Sequence, residues 1–250
     1  MNDAFPIQVP QPLPKKINPC PIVEAVFETR FLSQQPWATM PGLLFAQIRE
    51  KYPAQKMLQT YQMPEEAAQQ IPILMMMPQI QFASDNFNIQ LGPRVISLLT
   101  KPNAYPGWPA IEEELKWLIE KTREAGFLGE TERLGTRYID FFAGDVFSGL
   151  RLGLQINDRA LNGVKTSIAT IFKRGRVSIR LQITNGAIVE TRAGPVEGSV
   201  VDVDGWFEPL DAQLFENGEM SFREAHDTIK GLFFGLLKPE LLSKLNPEYE

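Results

Sequence analysis

Residues 19–31 read PCPIVEAVFETRF, a strand-like run that carries Glu24, Glu28 and Arg30. In an extended chain, alternate side chains point to opposite faces. Val23, Ala25, Phe27, Thr29 and Phe31 then share a core face, while Ile22, Glu24, Val26, Glu28 and Arg30 share the other. Two acids and an arginine on such a face make either a solvated sheet surface or the floor of a polar site. A second charged strand, ERLGTRYIDFF, holds Arg133, Arg137 and Asp140. If the two strands are neighbours, cross-strand ion pairs satisfy both sets, and this structural role is the leading expectation. The alternative gathers Glu24, Glu28, Arg30 and Arg137 around a polar pocket for a small ligand, a setting in which titration would shift.

Three smaller constellations could also do chemistry. Asp202 and Asp204, two apart in SVVDVDGWFEPL, put both carboxylates on one face of a strand, where they can hold a hard cation or do acid–base work. No third ligand follows at a recognisable spacing. Lys173, Arg174 and Arg176 crowd one hairpin tip, with Arg180 on the same ribbon, and a basic ribbon can contact phosphate backbones. Phe172 alone is placed to stack on a base, so a solubilising turn is the expected role. Cys20 and His226 are the sole cysteine and histidine. That excludes an intrachain disulfide and a zinc site of the Cys/His type. A Cys–His nucleophilic pair needs a third, orienting group, and His226 is expected to be a structural histidine on a helix.

The chain shows no phosphate loop of the G-x-x-x-x-G-K-S/T type, no G-x-G-x-x-G fingerprint, no G-x-S-x-G elbow and no H-E-x-x-H. No cofactor is implied, and the balance tips away from an enzyme. The 250 residues carry a net charge of −5, with 44% apolar and 10% aromatic residues, as a globular chain with a real core does. Up to Val146 there are 13 basic and 16 acidic residues, and beyond it 12 and 14. Neither part is a basic module, which disfavours a dedicated nucleic-acid binder. GLLFAQI, ILMMMP and GLFFGLL are all too short to span a bilayer. With no signal-peptide pattern at the start, the expectation is a cytoplasmic protein without a membrane anchor.

These residues need elements to position them. Six prolines in the first 21 residues predict an extended arm over 1–21, laid across the body or reaching a partner. MPGLLFAQIREKYP reads as a short helix begun by Pro41, with Leu44, Phe45 and Ile48 on one face. A Met- and Gln-rich region leads to ILMMMP, where Met75, Met76 and Met77 suggest a buried strand. QIQFASDNFNIQLG alternates as a hairpin turning around Ser84–Asn86, and RVISLLT adds a strand. YPGWPAIEEELKWLIEKTREAG predicts a long helix begun by Pro109, ended by Gly126 and buried along Ile111, Leu115, Leu118 and Ile119. LRLGLQI and the hairpin SIATIFKRGRVSIRLQI follow. In SFREAHDTIKGLFFGLL, Ser221 and Glu224 predict a capping box, and Gly231 and Gly235 permit close packing.

The pattern predicts an α+β fold, with curved antiparallel sheets and amphipathic helices laid across them. Two halves, 22–146 and 147–250, each hold several strands and a closing helix. They are compatible with a diverged duplication and also with one continuous domain.

NPCPIVEAVFETRF, ERLGTRYIDFF and AHDTIKGLFFGLL together resemble a sporadically distributed, uncharacterised bacterial family whose members open with a P-I-V-E-A-V-x-E-x-R-F signature. The resemblance spans the whole chain, with Asp140 standing where that family more often has Asn. The family's patchy distribution is similar to that of accessory genes in mobile, defence or toxin–antitoxin settings. It implies an accessory or antitoxin-like subunit that acts by protein–protein assembly, with a protein partner or further copies of itself. The Pro-rich arm, the 16 phenylalanines and the glycines of the last helix point the same way. A ligand-binding or enzymatic pocket is the second expectation, and nucleic-acid contact through 173–180 the third.

Overall fold

A computed structural model describes residues 6–62, 71–160, 165–191, 194–208, 211 and 213–249. Its strands are β1 (Ile22–Ser33), β2 (Ala54–Met57), β3 (Ile80–Ala83), β4 (Phe87–Gly92), β5 (Val95–Thr100), β6 (Leu128–Ala143), β7 (Gln155–Ile156), β8 (Arg159–Ala160), β9 (Ser167–Arg174), β10 (Val177–Thr191) and β11 (Gly194–Phe207). Helices are α1 (Met40–Ile48), α2 (Pro72–Met75), α3 (Trp108–Ala125), α4 (Leu214–Leu236) and α5 (Pro239–Ser243). Nine strands form one antiparallel sheet in the order β2-β3-β4-β5-β1-β6-β11-β10-β9, and β7 and β8 pair separately. The fold is α+β, as the pattern predicts. Residues 63–70 of the Met- and Gln-rich region, and Pro209 and Leu210 after β11, lie outside the described residues.

The chain divides into two compact units. One comprises Glu24–Thr136 and Trp206–Glu224; the other comprises the chain up to Val23, Arg137–Gly205 and the chain from Ala225. Each of the expected halves therefore gives chain to both units.

In the first unit, β1 buries Ala25, Phe27, Thr29 and Phe31 and leaves Glu24, Val26, Glu28 and Arg30 half-buried, in line with its alternation. Phe27 meets Trp108 at 6.0 Å and Phe222 at 6.2 Å between ring centroids, and Phe31 meets Phe127 at 5.8 Å. Burying a large apolar side chain of this kind contributes about 1.5–3 kcal/mol. The long helix α3 forms as expected: Pro109 lies in its first turn and Ile111, Leu115, Leu118 and Ile119 are buried. Gly126 ends it at a left-handed φ of 68°. The β3–β4 hairpin turns through Ser84–Asn86, with Ile80 opposite Leu91 and Phe82 opposite Ile89.

Met75–Met77 correct the expected buried strand. Pro72 opens α2, a short helical turn, and Met75, Met76 and Met77 are only half-buried. Proline suits a first helical turn, because its missing N–H would be unpaired there in any case. The predicted capping box is also overturned. Helix α4 begins at Leu214 and runs on through a non-helical Asn217, so Ser221 lies inside it. The Ser221 hydroxyl is fully buried without a hydrogen-bond partner.

In the second unit, LRLGLQI supplies only Gln155 and Ile156 to a strand. Asn157 and Asp158 turn the chain at φ 47° and 60°, and Ile156 pairs with Arg159 across this two-residue turn. Asn and Asp tolerate the left-handed region, so the turn wins over a continued strand. The arm runs over α4: a Cβ at Gly231 would lie 3.1 Å from Val9, and one at Gly235 would collide with Ile7 and the Gln8 carbonyl. Close packing at these glycines is thus taken up by the chain's own arm. Farther along, Lys15 N–H donates to the Glu248 carbonyl at 2.7 Å and Glu248 N–H to the Lys16 carbonyl at 2.9 Å.

Candidate functional site

The first unit resolves the opening charges into ion pairs. Arg30 Nε and Arg133 Nη1 both donate to Glu28 Oε1, each at 2.7 Å. Since β1 and β6 are neighbours, Arg133–Glu28 is the cross-strand pair expected from the sequence. The Arg133 guanidinium also lies 5.2 Å from the Trp206 ring centroid, a cation–π distance. Arg94 pairs with Glu132, while Arg94 Nε and Glu132 Oε2 are buried without partners. Glu24 is half-buried on the same face of β1.

Arg137 belongs to the second unit, where it grips Asp202 through two parallel bonds, Nε to Oδ1 at 2.8 Å and Nη2 to Oδ2 at 2.6 Å. A guanidinium fork of this kind takes both carboxylate oxygens. Asp202 is buried and Asp204 is half-buried. Among the described residues, no group of three or more His, Cys, Asp or Glu side chains is arranged to hold a metal.

The basic ribbon splits its cations between two faces. Val177, Ile179, Leu181 and Ile183 are buried, and their cross-strand partners are Arg174, Phe172, Thr170 and Ile168. Arg174 accordingly reaches α4, with Nη1 3.4 Å from where a Cβ on Gly231 would stand. Lys173 and Arg180 belong to the opposite face, with Ile171 and Ala169. Arg176 sits in the turn beside Gly175, whose φ of 59° is left-handed. Arg174 thus stands on the face of the ribbon opposite to that of Lys173 and Arg180.

Two buried groups on the face between β6 and α4, Asp140 and His226, are shifted from ordinary titration. On β6, Tyr138, Asp140 and Phe142 alternate on one buried face. Phe142 stacks on Phe233 of α4 at 6.4 Å, and the Tyr138 hydroxyl lies 2.7 Å from His226 Nδ1. Asp140 thus stands between them in sequence on the face turned to α4, and it is 3% exposed. Burial, and then the charge of Asp202, pushes its titration up to about 8. Burial also holds His226 down to about 3, with Lys230 adding to the effect. His226 is buried on a helix, where the sequence places it. Cys20 is exposed as a residue, yet desolvation by the surrounding chain pushes its thiol upward, against a hydrogen bond from the Ile22 backbone and with a smaller push from Asp140. Alternation in TRYIDFF does put Asp140 with Tyr138 and Phe142, and that was the available signal.

Comparison of the chain with protein-family models and with curated proteins returned no match.

Two further features were not visible in sequence. Glu114, 4% exposed within α3, accepts from Lys51 Nζ at 2.5 Å and from the Tyr52 hydroxyl at 2.8 Å. Burial and the Glu114 charge push the Tyr52 phenol upward. Beside them, an open cleft of ≈ 320 Å³ is lined by Arg49, Glu50, Lys51, Trp117 and Lys121 among others, and by none of Glu24, Glu28, Arg30 or Arg137. Lys51 and Lys121 are engaged by Glu114 and Glu124. Among the described residues, no helix is long and apolar enough to cross a membrane.

Proposed function

We propose that the protein is a non-catalytic interaction module, an accessory or antitoxin-like subunit that acts by assembling with another chain. The observation that carries this reading is the last strand of the sheet. β9 is eight residues long, contains no proline, and stands at the end of the strand order. Among the described residues no strand pairs with its outer side. Ile171 near its middle is 67% exposed. Proteins commonly protect such an edge, because its free backbone groups are a template for another strand. The pairing of Arg30 and Arg133 with Glu28, and separately of Arg137 with Asp202, also supports the reading.

Native mass spectrometry on the protein purified gently from its host, with chemical cross-linking, tests the reading. The expected result is a defined complex, homomeric or heteromeric, with cross-links at Lys165 or Lys173. A bare monomer with no intermolecular cross-link at micromolar concentration would end it.

A further inference from the structure

The edge of β9 also has a direction and a charge pattern, and these specify what can dock there. Arg174 pairs with Val177 around the two-residue turn, and Asn185 N–H donates to the Thr166 carbonyl at 3.0 Å. In an antiparallel ladder, hydrogen-bonded and non-bonded pairs alternate. The even-numbered residues of β9 therefore bond inward to β10. The N–H and C=O of Ser167, Ala169, Ile171 and Lys173 face outward.

The side chains of these four share one face of the ribbon, together with Arg180. The 2.8 Å contact between the Ser167 and Thr184 hydroxyls belongs to that face as well. Lys165 continues the same row by parity. All of Lys165, Ser167, Ala169, Ile171 and Lys173 are exposed. The row thus has a lysine at each end and small or apolar residues between, and residues 165–184 contain no acid.

We infer that β9 is a docking site for an extended, acidic strand of a partner protein, added edge to edge. The inference rests on the proposed interaction role and names the chemistry of the partner. Main-chain bonds to 167, 169, 171 and 173 would give affinity, and the side chains opposite them would give specificity. Acids opposite Lys165 and Lys173, eight residues apart, with small apolar residues opposite Ala169 and Ile171, complete the pattern. A second copy of this chain fits less well, since pairing two β9 strands about Ala169 sets Lys165 against Lys173 at both ends. Nucleic acid also fits less well, because Arg174 lies on the α4 face, away from Lys173 and Arg180, and Phe172, the one aromatic of residues 165–184, is only half-exposed.

The test uses a blocked, fluorescent nine-residue peptide with Glu at both ends and alternating Val and Thr between, its counterpart with Lys for Glu, and a 20-nucleotide single strand. Fluorescence anisotropy is read on the full chain and on two variants. Ala169→Pro deletes one outward N–H and leaves every bond to β10 in place. Lys173→Glu with Arg180→Glu reverses the local charge. The expected result is that the Glu peptide binds at least tenfold more tightly than the Lys peptide and loses tenfold or more on Ala169→Pro. The charge-reversal variant should invert the preference, and a circular dichroism melt should show both variants folded. Equal binding of the two peptides, binding unaffected by Ala169→Pro, or no binding of the Glu peptide overturns the acidic-strand inference. So does tighter binding of the polynucleotide. If Ala169→Pro does not fold, the charge-reversal variant decides alone. A homomeric or heteromeric complex that persists when the Glu peptide fails would leave the interaction role standing and locate it elsewhere.

Discussion

The two units handle charged groups in opposite ways. In the first, Glu28, Arg30 and Arg133 lie half-buried on a sheet face, and two guanidinium groups converge on one carboxylate oxygen. In the second, Asp140 and His226 are turned into the core around α4, and burial works against the charged form of each. A half-exposed charge needs only a partner and some water. A buried one loses the hydration of its charged form, and burial shifts the group toward neutrality. The first arrangement makes stability depend on charge partners and salt, and the second makes it depend on pH.

The largest expected effect separates the two regimes through pH. Asp140 titrates near 8 in the folded chain against 3.8 when free. Between those values the unfolded chain releases a proton that the folded chain keeps. The Asp140 contribution is therefore complete below pH 3.8, falls by about 1.4 kcal/mol per pH unit, and is lost by pH 8. For His226 the sign is opposite: its value of about 3 lies below the free 6.5, so its contribution is complete above pH 6.5 and lost as pH falls toward 3. From pH 4 to 6.5 the two slopes cancel, and from 6.5 to 8 only that of Asp140 remains. Urea melts should show a plateau followed by a decline toward pH 8. Asp140→Asn should remove the decline and stabilise the protein at pH 8, by at most about 5 kcal/mol after the cost of burying the amide. Wild-type stability that is level or rising from pH 6.5 to 8 would show that Asp140 is charged, and the contrast between the units would disappear.

Next in size is Tyr138→Phe, which removes the hydroxyl 2.7 Å from His226 Nδ1. Losing one member of a buried polar pair costs about 1–3 kcal/mol. The loss should be nearly the same in low and high salt, because the group opposite is neutral. In the first unit, Glu28→Gln should cost about 1 kcal/mol at low ionic strength and less in molar salt. Chemical denaturation at two salt concentrations checks both. A Glu28→Gln loss that ignores salt would mean that its hydrogen bonds matter and its charge does not.

Much of the first unit could be read from local pattern. Alternation alone assigned the two faces of β1. The residue types Glu28 and Arg133 implied a cross-strand pair, which required only that β1 and β6 be neighbours. Helix α3 carries its own start, stop and stripe. The readings that failed depended on competition between signals. Ser221 and Glu224 have capping-box spacing, but the helical run they belong to already starts after the kink at Asn217, so the serine ends inside. Met75–Met77 have strand-like composition, yet Pro72 imposes a helical turn. Asp140 was read as one more sheet charge, because its partners in sequence, Arg133 and Arg137, are charged. Its inward direction depends on α4 covering that face, about ninety residues later in the chain, and no local window contains this. Glu114 was missed for a related reason, since the Lys51 and Tyr52 that satisfy it lie outside its own helix.

The smallest expected effect tests whether burial is what separates the units, or whether any charged pair would serve. Lys121 and Glu124 form an i,i+3 pair at 2.7 Å on the outer side of α3. The hydrogen bond to Glu124 raises the lysine's titration, with Glu120 and Glu50 adding smaller pushes. Water competes for both groups, and holding two long side chains in one geometry costs entropy. Alanine is also the better helix former at such a position. Lys121→Ala should therefore leave the melting temperature within error of the wild type at any salt concentration. A clear drop would mean that exposed ion pairs carry real stability in this fold. The Glu28 network would then owe its effect to charge alone, and its half-buried position beneath Trp206 would cease to matter.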